Sequence, residues 1–241
     1  MSELSSRRRS RGPVVALVGG ALLALALAVP PAATATPTIP PPMPTAPYTF
    51  LSTQPSDHKL PVRWDPCVVH RYKVVTAGMS KRVLASLFKA VSRVSAASGI
   101  TLRYAGTTHV VPNSGNDMFL PSAAGADIVL AFTAPGVGRG RTDILSAHDA
   151  ALARGGAAWR GGGIAWYSSG YAVFDVRKLP TTGDRRLALF EHELGHVLGL
   201  DHVKLSTDVM YPMLSYHPLT WSPGFYDGLV AIGRLAGCRK G

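Results

Sequence analysis

Residues 192–202 read His192-Glu193-Leu194-Gly195-His196-Val197-Leu198-Gly199-Leu200-Asp201-His202. His192 and His196 are four apart, so on a helix they project from one face a single turn apart. Two imidazoles so placed grip a zinc ion at about 2.0–2.1 Å each. Glu193 stands beside the first ligand but off the ligand face, where a carboxylate accepts a proton from water activated at the metal. Gly199 lets the backbone leave the helix sharply, and the turn brings His202 round as a third ligand. Three neutral nitrogens leave a fourth position open, the arrangement of a catalytic rather than a closed structural site.

Working outward, Asp184 is the candidate cap of this helix, which is predicted to run to about Leu200. Upstream, residues 70–76 alternate and are β-rich, predicting a strand. Ser80 is a good N-cap; Val83, Leu84, Leu87, Phe88, Val91 and Val94 fall at helical spacing, and Gly99 ends the helix. Residues 101–104 and 126–132 read as further strands, the second buried. A Gly-rich stretch, 136–163, reads as loop. Residues 164–168 and 171–176 then read as a hairpin about Ser169-Gly170. Ser222-Pro223 opens a last helix to about Leu235. The chain thus folds as one α/β (α+β) domain, residues 60–241.

The composition agrees. Of 241 residues, 46% are hydrophobic and 16% charged, which excludes a disordered chain. Gly 25 and Pro 19 show no period, which excludes collagen. Arg7, Arg8, Arg9 and Arg11 precede an apolar run, 14–29, and Ala33-Thr34-Ala35 offers a cleavage site. These are the parts of a secretory signal, so residues 1–35 are expected to be a signal peptide and the protein secreted. The run of 16 residues falls short of the roughly 20 a spanning helix needs; a retained anchor is the alternative, and no stable membrane insertion follows signal removal. Residues 36–59 continue as a Pro-rich linker. Outside the cytosol two cysteines usually pair, and Cys67 and Cys238 flank the folded part, so a disulfide clasping its ends is expected. Two free thiols, or Cys67 on the zinc, remain as alternatives. The formal charge is +11; losing four arginines and one glutamate with the leader leaves +8. That suits anionic envelope polymers and does not by itself make a nucleic acid the partner.

The segment resembles the metzincin zinc-protease signature, H-E-x-x-H-x-x-G-x-x-H followed by a Met-turn. The Met-turn here is Asp208-Val209-Met210-Tyr211-Pro212, and Gly199-Leu200-Asp201-His202 with Val209-Met210-Tyr211-Pro212 is similar to the matrixin group, including its secreted bacterial members. The resemblance implies a five-stranded twisted mixed sheet with an antiparallel edge strand and three helices. It implies a monomeric zinc endopeptidase with one catalytic ion, and a final helix with an inward acidic residue, here Asp227. The chain departs from the animal enzymes. It has no Pro-Arg-Cys-Gly segment, His58, His70, His109, His148 and His217 show no ligand spacing for a second zinc, and acidic residues are too sparse to support calcium. Tyr211 follows Met210 directly and is not read as a ligand.

If residues 164–168 form the edge strand over the cleft, an extended peptide adds to it through Ile164, Ala165, Trp166 and Tyr167. Residues 212–221 then wall the pocket past the cut bond, with Leu214, Tyr216, Leu219 and Trp221 making it apolar. The substrate class is protein or peptide. A secreted zinc-binding protein without turnover, or a zinc hydrolase of non-peptide amides, are the alternatives; the retained Glu193 speaks against the first, since binding needs no base.

Overall fold

A computed structural model describes residues 48–113, 123–134, 144–145, 150–214 and 221–239, all within one unit, Pro41–Gly241. Among them the elements run β1 (Thr49–Phe50), β2 (His70–Val75), α1 (Lys81–Ser98), β3 (Leu102–Thr107), β4 (Ile128–Thr133), β5 (Ala153–Arg160), β6 (Trp166–Asp175), α2 (Gly183–Leu198), β7 (Leu200–Asp201) and α3 (Pro223–Ile232). The expected signal, and the linker up to residue 47, lie outside the described residues. None of the described helices is long and apolar enough to cross a membrane.

The main sheet has five strands in the order β3-β2-β4-β6-β5. The first four run parallel, and β5 pairs antiparallel with β6 at one edge. Fold class and strand count are as expected; the edge strand is not. It is Ala153–Arg160, inside the stretch 136–163 that reads as loop, because Gly155, Gly156, Ala157 and Ala158 carry little β-propensity. The predicted hairpin is instead one strand, β6. Gly170 there is a packing residue rather than a turn residue: a Cβ on it would lie 3.0 Å from Val197 Cγ1 and 3.1 Å from Trp64 Cζ2.

The helices start where polar caps allow. Ser80 accepts from Val83 N, and Gly99 closes α1 in the left-handed region (φ 74°). Thr182, not Asp184, holds the N-cap position of α2, and Asp184 lies in the first turn, where a carboxylate suits the helix dipole. Ser222 caps α3, with Pro223 just inside it. The apolar stripe of α1 (Leu87, Val91, Val94) and that of α2 (Phe190, Leu194, Val197) bury one face of the sheet, meeting Leu130, Phe132 and Phe174. A smaller cluster around Val129, Ala131 and Val173 covers the other face. Burial of this kind stabilises by about 25 cal/mol per Å² of apolar surface, and it fixes α2 beneath β5.

The folded part begins before Leu60. Thr49–Phe50 pairs antiparallel with Leu200–Asp201. The Gln54 amide takes both backbone groups of Ala165, donating to its carbonyl (2.9 Å) and accepting from its N–H (2.7 Å). Cys67 and Cys238 form a disulfide, so Cys67 is not a metal ligand.

Candidate metal centre

Helix α2 carries His192 and His196 on one face, and Gly199 (φ 112°) turns the chain out of it. That turn cannot hold a side chain: a Cβ on Gly199 would lie 2.7 Å from Tyr167 Cε2. The chain then pairs with β1 through β7, and Thr49 Oγ1 donates to the His202 carbonyl at 2.7 Å. The result is a triangle of imidazole nitrogens. His196 Nε2 lies 3.1 Å from His192 Nε2 and 3.1 Å from His202 Nε2, and the third side is 3.3 Å. Tetrahedral zinc with Zn–N near 2.0–2.1 Å needs ligand nitrogens about 3.3 Å apart. The donor chemistry fits as well. His192 Nδ1 donates to the Val209 carbonyl (2.7 Å) and His196 Nδ1 to the Leu200 carbonyl (2.8 Å), so both Nε2 atoms present lone pairs to the centre of the triangle. Among the described residues this is the group of histidine, cysteine or acidic side chains that can hold a metal ion.

Burial keeps the His192 and His196 rings neutral. It pushes His192 down to about 3, with neighbouring His196 adding to the effect, and His196 down to about 4. Glu193 goes the other way: burial lifts its carboxyl to about 8, opposed by the charge of Arg154. Its Oε2 is buried with no hydrogen-bond partner. Gly155 lets the edge strand approach it, since a Cβ there would lie 2.9 Å from Glu193 Oε2 and 2.5 Å from the Glu193 carbonyl oxygen. Met210 sits under the helix at Gly195, where a Cβ would come 2.5 Å from its Sδ.

A cleft of about 760 Å³ passes over the three imidazoles and Glu193, between β5 on one side and Pro212, Met213 and Leu214 on the other. Leu214 lines it. The other substrate-binding assignments do not hold in this form. Ala165, Trp166 and Tyr167 are buried in or beside the inner strand β6, and both polar backbone groups of Ala165 are occupied by Gln54. Ile164 is exposed and does not line the cleft. Tyr216 and Leu219 lie outside the described residues. Trp221 packs under Arg93, with the guanidinium 4.6 Å from its ring centre, away from the cleft lining. Nor is the cleft wholly apolar, because Arg154 and Arg185 line it.

A model of the matrixin family matches residues 125–221, which take in β4, the edge strand, all three histidines and the Met-turn. Over that stretch the chain is similar to matrixins. No curated protein matches it. A matrixin-like domain implies a zinc-dependent metallopeptidase acting on protein or peptide, and the triangle of nitrogens supplies a place for the metal. Two features of this matrixin-like domain are not visible in the helix and strand pattern of the sequence. Thr49 holds the third histidine from the far end of the chain. Asp227, expected to point inward from the last helix, is only half-buried, whereas Asp208, ahead of that helix, is 1% exposed. The signal for Asp208 was its place two residues before Met210, where an Asx-type bond to the backbone forms.

Proposed function

We propose that this protein is a secreted zinc endopeptidase with His192, His196 and His202 as ligands and Glu193 as general base. The observation that carries the reading is the convergence of three Nε2 atoms beside a buried carboxylate oxygen that has no other partner. Bound to the three histidines, zinc supplies Lewis acidity, polarising the scissile carbonyl and lowering the pKa of the attacking water. A cation held by the three histidines would favour the ionised form of Glu193, and that carboxylate takes the water proton and passes it to the leaving nitrogen, which departs poorly unless protonated. The His192 and His196 Nδ1 bonds hold both rings in the tautomer that leaves Nε2 free.

The substrate lies along β5 rather than along residues 164–168. β5 is the sheet's edge, and an extended peptide adds to such an edge through main-chain hydrogen bonds. Gly155 keeps that strand low over Glu193. Backbone-led binding favours a peptide over another amide. Export is supported by the leader at residues 1–35.

Casein digestion by the purified protein, with and without a zinc chelator, tests the reading. Cleavage should stop with chelator and return with zinc. Glu193→Gln should retain zinc and lose about 10²–10⁴-fold in rate. A zinc-loaded parent that cleaves no peptide favours the binding-protein alternative, and undiminished cleavage by Glu193→Gln removes the general base.

A further inference from the structure

The Val209 carbonyl that orients His192 belongs to a peptide unit whose other end is also held. Val209 C=O and Met210 N–H share one planar peptide. His192 Nδ1 donates to the carbonyl at 2.7 Å. Asp208 Oδ1 accepts from the N–H at 2.7 Å. The plane is therefore gripped from both sides, and a rotation that loosened one bond would loosen the other. The Met210 carbonyl is fixed in turn by Val203 N–H at 3.0 Å, one residue past the third ligand.

Asp208 is itself held. It is 1% exposed, and its second oxygen accepts a hydrogen bond from the Ser222 hydroxyl. Ser222 accepts at the same oxygen from Phe225 N–H at 3.0 Å, as the cap of α3. The neighbouring Trp221 is pinned separately by Arg93, whose guanidinium pairs with buried Glu191 at 2.9 Å. Helix α3 thus offers a fixed point, and Asp208 transmits it to the peptide plane under the metal triangle.

We infer that Asp208 is a positioning residue of the metal site, acting on His192 through the Val209–Met210 peptide and oriented by Ser222. A buried carboxylate suits this task because it offers acceptors in two directions at once and forms charge-assisted bonds, which are roughly twice as strong as neutral ones. The inference rests on the zinc reading above, but its action is on affinity for the ion and does not require turnover.

The experiment is competition for zinc between the full chain and a chromogenic chelator. Asp208→Ala should bind zinc at least about tenfold more weakly, the usual cost of losing a group that orients a ligand. Asp208→Asn should rescue affinity to within about threefold, since its amide oxygen still accepts from Met210 N–H and its NH₂ faces the Ser222 oxygen. Leu87→Ala, a core change in α1, controls for lost stability: it should lower the melting temperature and leave zinc affinity in place. A folded Asp208→Ala with the parent's zinc affinity overturns the inference, as does an equal loss in Leu87→Ala. If Asp208→Ala does not fold, Ser222→Ala decides: several-fold weaker zinc supports the role and parental affinity removes it. A parent that binds no zinc overturns this inference together with the zinc reading, whereas a parent that binds zinc beside an unaffected Asp208→Ala removes the positioning role alone.

Discussion

Breaking the Cys67–Cys238 bond should lower stability without disturbing the metal site. The two cysteines are separated by 171 residues of sequence. The chain-entropy relation for a loop of that length removes about 17 cal/mol/K from the unfolded state, or about 5 kcal/mol at 25 °C. This is a ceiling, because residual structure in the unfolded chain reduces it. In a domain of this size each kcal/mol moves Tm by about 2–4 °C, so the expected fall is up to about 10–20 °C. The folded state has other ties at the same place: Arg234 donates from Nε to the Ala97 carbonyl at 2.9 Å and from Nη2 to the Ala96 carbonyl, and so holds the end of α3 to the end of α1. The fold and its zinc should therefore survive. The assay is thermal unfolding by circular dichroism of the parent and the Cys67→Ser/Cys238→Ser protein, with zinc content measured on both. A Tm within about 2 °C of the parent would show that the bond constrains nothing beyond what the fold already holds. A lower Tm accompanied by lost zinc would place the effect in the folded state and refute the entropic account.

The other expectations concern the centre. His202→Ala leaves two ligands on one helix, and zinc content after dialysis should drop well below one ion per chain; parental content would remove His202 from the ligand set. Thr49→Val deletes the hydroxyl on the His202 carbonyl, and chelator competition should show a several-fold weaker site, milder than His202→Ala. Gly155→Val places carbon within 3 Å of where Glu193 now lies, so peptide cleavage should fall steeply while zinc stays bound; unchanged cleavage would mean that the edge strand yields freely. Acid should strip the metal, since imidazole binds it only unprotonated, and zinc content measured from pH 7 down to 4 should fall with pH.

What the sequence made legible was local. His192 and His196 follow from helical spacing alone, and Gly199 with His202 from the need for a turn, so the triangle could be read within eleven residues. The helix caps Ser80 and Ser222 were legible for the same reason. What failed depended on distant partners. Residues 153–160 look like loop because their small side chains answer to Glu193 and Tyr171, which pack against Gly155 and Gly156. Gly170 looks like a turn because Trp64 and Val197, far away in sequence, demand its bare Cα. Asp227 is placed inward by the resemblance alone, whereas the role of Asp208, a carboxylate spanning a turn and a helix cap, depends on Ser222 and Met210 and leaves no helix or strand pattern.

The pairing of β1 with β7 sets when the centre can come into being. Thr49 grips the carbonyl of His202 across 153 residues, and the cysteine bridge closes over a still longer stretch. Contacts so remote in sequence form late, because chain entropy must be lost before they reward it. A partly made chain, or one whose ends have not met, owns a helix with two imidazoles and a base but lacks the Thr49 bond that steadies the carbonyl of the third ligand. The three-imidazole triangle is then among the last parts of the fold to be completed, after the strands and helices that carry its separate members.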